Sequence, residues 1–365
     1  MEFADVNDQV RHRILDLLND FLTPHKSLVV RLAATEALGR WIVNGIPSEN
    51  RVLTWRESVM QKLWSLFQET CDHSESLILV TEAIDQVAQR MGISENCLAQ
   101  YLYGLGELEE MTETNYQVFL HAVPIMHHFI TSPGLNLDLF AESLCNLVAY
   151  CINSDREELV QVGIDLWESL IFYKNDVGLY AGPLVSLLFE KYATDGEFES
   201  TFTDILVHYL IMDLNMIITC RRADFFKALS TRIKKGNHVT VKSVCRVMEA
   251  MICSDVNRSE PLAALMAESS CFGYLVNTLI HARNDYQAKD IILLVLARLV
   301  LHQTDDFLQA LRGLSSEDDP SDTAVRLIEC WLFAYPKIEH PKFRKLSLLA
   351  LGKLIFAEIE ECDHY

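Results

Sequence analysis

Glycine and proline are scarce in this sequence, at 14 and 9 of 365 residues. An all-β protein needs many tight turns built from these residues, so the shortage argues against one and favours helix. The opening stretch, "MEFADVNDQVRHR", lacks an apolar core behind a basic start and is no signal peptide. Long apolar runs are missing too. The longest, Ile291 to Ala297, is cut by Arg298 and is too short to span a bilayer, so no membrane insertion is expected. The ten cysteines stand singly, at positions such as Cys71, Cys145, Cys220, Cys271 and Cys330, without a C-x-x-C pair. A disulfide-stapled domain would be shorter and denser in cysteine. These thiols are expected to be reduced, mostly buried small hydrophobes of a cytosolic or nuclear protein.

Motifs that carry chemistry are absent as well. There is no G-x-x-x-x-G-K-[ST] loop, no G-x-S-x-G elbow and no H-E-x-x-H pair. "YGLGELE" holds Gly104 and Gly106 but lacks a third glycine and a preceding strand. In "HAVPIMHHF", His121 and His128 fall near one helical face beside His127, but no neighbouring carboxylate or thiol completes a metal site, and Pro124 is expected to interrupt the helix. No enzyme activity, cofactor or metal is expected.

What is present is apolar and acidic. Half of the residues are hydrophobic, which allows a large buried core and excludes disorder as the main state. The net charge is −20, from 51 Asp+Glu against 31 Lys+Arg. Such a surface repels nucleic acid and anionic membranes and favours basic partners.

The sequence also repeats itself. "RLAATEALGRWI" (Arg31 to Ile42) overlays "RKLSLLALGKLI" (Arg344 to Ile355), with Arg31 on Arg344, Ala37 on Ala350, Leu38 on Leu351 and Trp41 on Leu354. A third copy runs from Val295 to Leu299, 258 residues after Ala37, close to six periods of about 43, the length of a HEAT or armadillo unit. The next interval, 55 residues, is longer because "LSSEDDPSD" is inserted. Val30, Ala34, Ala37, Leu38 and Trp41 have the spacing of one buried helical face, with Arg31, Glu36 and Arg40 towards the other side. Arg31 and Arg344 are placed to pack their carbons while the guanidinium reaches a neighbouring repeat. The small residues Gly39, Ala297 and Gly352 would let an adjacent helix come close.

Pairs of such helices, separated by short polar turns, recur along the chain. "WRESVMQKLWSLFQETC" precedes "LILVTEAIDQVAQRM", and "LDLFAESLCNLVAYCI" precedes "REELVQVGIDLWESLIFY". The expected fold is all-α, a right-handed α-solenoid of HEAT/armadillo-like helical hairpins. It is expected to run as one continuous array over residues 1–365, with roughly eight hairpins. An acidic insertion is expected near 314–322 and an acidic tail over 358–365.

Five stretches carry a closer resemblance: "LVVRLAATEAL", "LWSLFQETCDHSESLILVTEAIDQVAQRMG", "VGIDLWESLIFY", "IILLVLARLVLHQTDDFLQAL" and "IECWLFAYPKIEHPKFRKLSLLALGKL". Together they resemble, in order and approximate spacing, the C-terminal part of importin-beta family transport receptors of the importin eleven type. The resemblance implies a receptor that carries protein cargo into the nucleus, releases it to Ran-GTP, shuttles between cytoplasm and nucleus, and has nucleoporins among its partners. The family's N-terminal repeats, which make the main Ran contacts, have no counterpart in these residues, so Met1 is expected to begin inside the array. A HEAT scaffold or regulatory subunit with no transport role has the same composition and periodicity.

Acidic runs are the functional candidates. Glu157, Glu158, Asp165 and Glu168 share the second helix of one hairpin, where a basic cargo would bind. The stretch Arg221 to Lys242 is basic instead. It either contacts an acidic partner segment or pairs with the array's own acidic faces, while Phe225 and Phe226 fit a buried stripe rather than a nucleic-acid site.

Overall fold

A computed structural model describes residues 8–44, 52–71, 73–108, 112–131, 135–173, 177–194, 196–235, 237–254, 266–267, 270–281, 288–314 and 322–362. Most of the expected acidic insertion, residues 315–321, and the end of the expected acidic tail, residues 363–365, lie outside them. Among the described residues no strand occurs, and the fold is all-α. The chain divides into two compact units, residues 1–180 and 181–365.

The described residues of the first unit form four hairpins: α1 (Asp8–Phe21) with α2 (Leu28–Asn44), α3 (Val52–Thr70) with α4 (Ser74–Met91), α5 (Glu95–Gly106) with α6 (Glu113–Thr131), and α7 (Ala141–Ile152) with α8 (Glu157–Tyr173). First helices pack on first helices, from α1 through α3 and α5 to α7. Second helices pack on second helices, from α2 through α4 and α6 to α8. This stacking follows from each hairpin's inability to bury its own apolar surface. In α8, Leu159, Ile164, Trp167 and Leu170 are fully enclosed, and burial of each aliphatic side chain contributes about 1.5–3 kcal/mol. Gly163 makes the α7–α8 contact possible, since a Cβ there would come within 2.6 Å of the Cys151 Cβ.

Helix α9 (Val177–Thr194) begins in the first unit and lies mostly in the second, which also contains α10 (Glu199–Ile233), α11 (His238–Ser254), α12 (Cys271–His281), α13 (Lys289–His302), α14 (Thr304–Arg312), α15 (Asp322–Ala334) and α16 (Pro341–Cys362). Two residues with non-helical backbone, Asp213 and Arg221, break α10 into segments. The chain folds back there, so Arg232 near the end of α10 reaches Glu199 at its beginning. Arg232 is 1% exposed, its guanidinium lies 2.5 Å from the Glu199 carboxylate, and Tyr192 packs its ring against the same group. Second helices again stack in series, α11 on α13 and α13 on α16. The apolar run Ile291 to Ala297 lies in α13, where Ile292 to Ala297 are buried by neighbouring helices. Among the described residues no helix is long and apolar enough to cross a membrane.

Polar contacts between successive hairpins carry the repeat length. Trp55 Nε1 donates to the Leu15 carbonyl, Arg156 pairs with Glu113, and Ser230 lies against Cys271, at separations of 40, 43 and 41 residues. Later contacts span 50 and 52 residues, Cys330 to the Ile280 carbonyl and Lys353 to the Leu301 carbonyl.

Several expectations for the repeated helix need correction. Ala34, Leu38 and Trp41 are buried, but Val30 and Ala37 are exposed. Ala37 points away from α4, to the side where no described helix lies. Its counterparts Val295 and Ala350 are buried because α11 and α13 stand in front of them. The expectation for Arg31 holds, since it is 3% exposed and its guanidinium reaches the next hairpin, donating to Glu69 of α3 at 2.7 Å. Arg344 stays local, turning back to the Ile338 carbonyl in the turn before its own helix. At Gly39 a Cβ would meet the Gln86 side chain of α4, whereas at Gly352 it would meet nothing within 4 Å. Leu351 is buried like Leu38. Finally, α6 runs through Pro124 without a break. The proline is exposed, so the unmatched carbonyl one turn earlier can turn to solvent, while the buried flanks Val123, Ile125 and Met126 hold the helix in place.

The fully packed indole makes one test direct. Trp41 is 4% exposed, and Trp41→Ala should cost roughly 3–5 kcal/mol, read as an earlier unfolding transition of the first unit in urea.

Candidate functional site

The second helices of the first unit place one acidic face side by side. On α8, residues 157, 158, 161, 165, 168 and 172 fall on one side of the helix because the others are taken up by packing. Glu157, Glu158 and Asp165 are exposed, Glu168 is half-buried, and Phe172 ends the stripe at 61% exposure. Glu75, Glu82 and Asp85 of α4 and Glu113 of α6 extend the same charge sideways. Between Arg90 and Arg156 the chain contains no lysine or arginine at all. The asymmetry holds for the whole units: residues 1–180 carry 26 Asp+Glu against 11 Lys+Arg, and residues 181–365 carry 25 against 20.

Side chains link the stripe across the three helices. The Tyr116 hydroxyl of α6 donates to Glu158 at 3.2 Å, and the Arg156 guanidinium stacks 4.5 Å from the Tyr116 ring while pairing with Glu113. Partial burial and the Glu158 carboxylate together raise the Tyr116 pKa. Asp165 accepts from Gln161 along α8 at 2.7 Å. One turn on, Ser169 contacts His127 Nδ1 of α6 at 2.7 Å and donates to the Asp165 carbonyl. The next side chain, His128, lies 2.9 Å from Asp85 of α4, whose carboxylate also accepts from Gln89. Desolvation raises the Asp85 pKa despite the opposing pull of the two imidazoles. Desolvation lowers the pKa of His127, helped by His128, and lowers that of His121.

The histidines thus have a carboxylate neighbour that their own stretch of sequence does not supply. Asp85 is brought in from the preceding second helix, 43 residues away. The same offset joins Glu113 to Arg156, and offsets of 42 join Tyr116 to Glu158 and His127 to Ser169. Reading residues against the repeat length, rather than against near neighbours, would have found all four.

Other features fall into structural roles. Among the described residues no group of three His, Cys, Asp or Glu side chains could hold a metal ion. Gly104 lies inside α5, where it gives room to the Trp64 ring. Cys97, Cys145, Cys151, Cys245 and Cys271 are buried free thiols, and desolvation pushes Cys145 to about 11 and Cys151 to about 12. Within the basic stretch, Phe225 and Phe226 are buried, Arg232 pairs with Glu199, and Lys235 donates to the Thr194 carbonyl.

The hairpin stacking and the contact spacing of about 40 residues define a helical-repeat protein of the HEAT type, since tetratricopeptide units are shorter, at about 34 residues. The profile of a family described as "Importin-11-like, TPR repeats" matches residues 121–362, about two-thirds of the chain. The chain belongs to this importin-11-like family of the importin-beta class. It is similar to importin beta-like protein kap113 of Schizosaccharomyces pombe, at 21% identity over 360 residues, covering 96% of this chain and 35% of that protein. Among solved structures it is similar to Lph2 of S. cerevisiae, described as a bidirectional nuclear transport receptor, with a TM-score of 0.69 and 17% identity over 97% of this chain and 39% of that one. An engineered protein matches with a TM-score of 0.53 at 13% identity, covering 97% and 87%. At these identities the structures establish the fold alone. The chain spans about a third of the length of kap113.

The histidine ladder generates a pH dependence. The ordinary imidazole value is 6.5, and His121 and His127 lie below it in the folded chain. As pH falls through that value the unfolded state takes up protons first, so stability is lost on acidification and regained on return to neutral pH. Thermal midpoints should drop between about pH 7.5 and about pH 5.5, and His121→Gln should flatten the slope.

Proposed function

We propose that this chain is a cargo-holding segment of a nuclear transport receptor, and that the second-helix face of residues 74–172 holds basic protein cargo. Family membership supports the transport role. The observation that carries the binding reading is the acidic face shared by α4, α6 and α8, with no lysine or arginine between Arg90 and Arg156. Glu157, Glu158, Asp165 and Glu168 would present carboxylates to lysine and arginine side chains, and Phe172 an apolar contact at the edge. Exposed charges of this kind act over about 8–10 Å at physiological salt and contribute more to the rate of encounter than to the lifetime of the complex. On the family resemblance, Ran-GTP is sensed by repeats outside these residues, nucleoporins are further partners, and the receptor shuttles between cytoplasm and nucleus.

The test is stopped-flow association of a fluorescent Lys/Arg-rich peptide. Reversal of Glu157, Glu158, Asp165 and Glu168 to Lys should slow association on the order of tenfold or more at low salt, with a smaller change in dissociation. Raising the salt to physiological strength should slow the unaltered chain in the same way. An unchanged rate in the reversed variant would remove cargo from this face and favour a scaffold without a transport role.

A further inference from the structure

Second helices begin differently in the two units. In the first unit α4, α6 and α8 carry acids in their opening turns, Glu75, Glu113, and Glu157 with Glu158. The helix dipole favours that arrangement. In the second unit α11 opens with His238, α13 with Lys289, and Lys342 stands in the opening turn of α16. Of these three, only α13 has an acid there, Asp290. α10 also opens on an acid, Glu199, but Arg232 occupies that carboxylate in the core. A lysine at a helix N-terminus weakens the helix, so local stability does not account for these bases. Nor are they uncovered for want of a neighbour, because α11 packs between α10 and α13, and α13 between α11 and α16.

The bases gather on one edge. The second helices of successive hairpins run the same way, so their first residues and the turns leading into them share one rim of the second unit. Lys234 and Lys235 end α10, Lys242 lies one turn into α11, and Lys337 stands in the turn before α16. Asp290 marks where these elements meet. Desolvation raises its pKa, Glu339 before α16 adds to the rise, and Lys242 of α11 opposes it. Between Asp224 and Glu249 the chain contains no acid at all. Arg232 and Arg246 of that stretch are taken up by Glu199 and Asp204, and Lys235 by the Thr194 carbonyl. Lys234, Lys242 and Lys342 are exposed and Lys289 is half-buried. The acids of the rim are Asp290, Glu339 and, in the turn before α10, Glu197. Residues 282–287, outside the described residues, add one base and one acid. Beside His238, Val239 is 53% exposed and offers an apolar contact among the charges.

We propose that this rim of α11, α13 and α16 receives an acidic polypeptide segment, with its carboxylates on Lys242, Lys289 and Lys342 and an apolar side chain on Val239. A polypeptide fits the rim better than nucleic acid does. Its carboxylates can be spaced to pass Asp290 and Glu339, whereas the dense, regular charge of a phosphate backbone meets both acids and a chain of net charge −20. The inference does not rest on the cargo reading, whose acidic face lies in the first unit.

Fluorescence anisotropy of a labelled Glu/Asp-rich peptide with the full chain tests it. Binding should be present at low salt and weaken as salt rises. Lys242→Gln, Lys289→Gln and Lys342→Gln together should weaken it on the order of tenfold. These changes remove cations from helix N-termini, so the thermal midpoint should not fall. Arg13→Gln, Arg40→Gln and Arg90→Gln make the same change in net charge at exposed positions of the first unit, and should weaken binding by less than about twofold. A Lys/Arg-rich peptide should associate with the rim variant as with the unaltered chain, which keeps this test separate from that of the cargo face. Equal losses in the two variants would reduce the effect to net charge and overturn the proposal. So would a chain that ignores the acidic peptide at low salt, or an oligonucleotide of matched charge that binds more tightly than the peptide.

Discussion

No hairpin in this chain can bury its own apolar surface, and that constraint governs the structure. A second helix such as α8 is enclosed by its first helix on one side and by the neighbouring second helix on another. The one side left to solvent is a stripe about one residue wide in each turn. Everything polar that the helix presents to a partner must fall on that stripe. In α8 the residues that do are mainly carboxylates, while α4 exposes Glu75 and Glu82 beside Ile78, Gln89 and Arg90, and α6 begins with Glu113. Structure and candidate function are therefore set by the same packing arrangement.

The charge of the chain is unevenly distributed between the two units. Where bases occur in the second unit, many are used internally: Arg232 neutralises Glu199 in the core, Arg246 pairs with Asp204, and Arg298 pairs with Glu249. In the first unit few bases are present to do this. Of those, Arg31 pairs with Glu69, Arg40 with Glu36 and Arg156 with Glu113, while neutral or weakly basic groups hold further carboxylates, Tyr116 on Glu158 and the imidazole of His128 on Asp85. That leaves the face acidic near neutral pH, where a basic polypeptide would meet it. Removing any one of these contacts changes a rim interaction and not the core, so the surface can vary while the stacking persists.

Much of the fold is readable in the sequence because it depends on local pattern. Leu38, Trp41, Leu351 and the apolar run of α13 are buried, as the spacing of apolar residues indicates. Where burial depends on a neighbouring repeat, sequence fails. Ala37 and Ala350 occupy the same register, yet one is exposed and the other buried, because only the second has a helix in front of it. Arg31 and Arg344 likewise share a register but not a partner: one finds Glu69 of the adjacent hairpin, the other a carbonyl of its own turn. The acidic stripe of α8 could be read locally. Its links to Tyr116 and to the His127 ladder could not, since they join residues some 42 positions apart.

The most direct measurement of the central claim is hydrogen exchange, followed by mass spectrometry, of the chain with and without a saturating Lys/Arg-rich polypeptide. If the acidic second-helix face holds basic partners, slowing should concentrate in peptides from α6 and α8 and in the turn carrying Arg156. The first helices α5 and α7 should exchange as before. Protection confined to those first helices, or to the second unit, would contradict it.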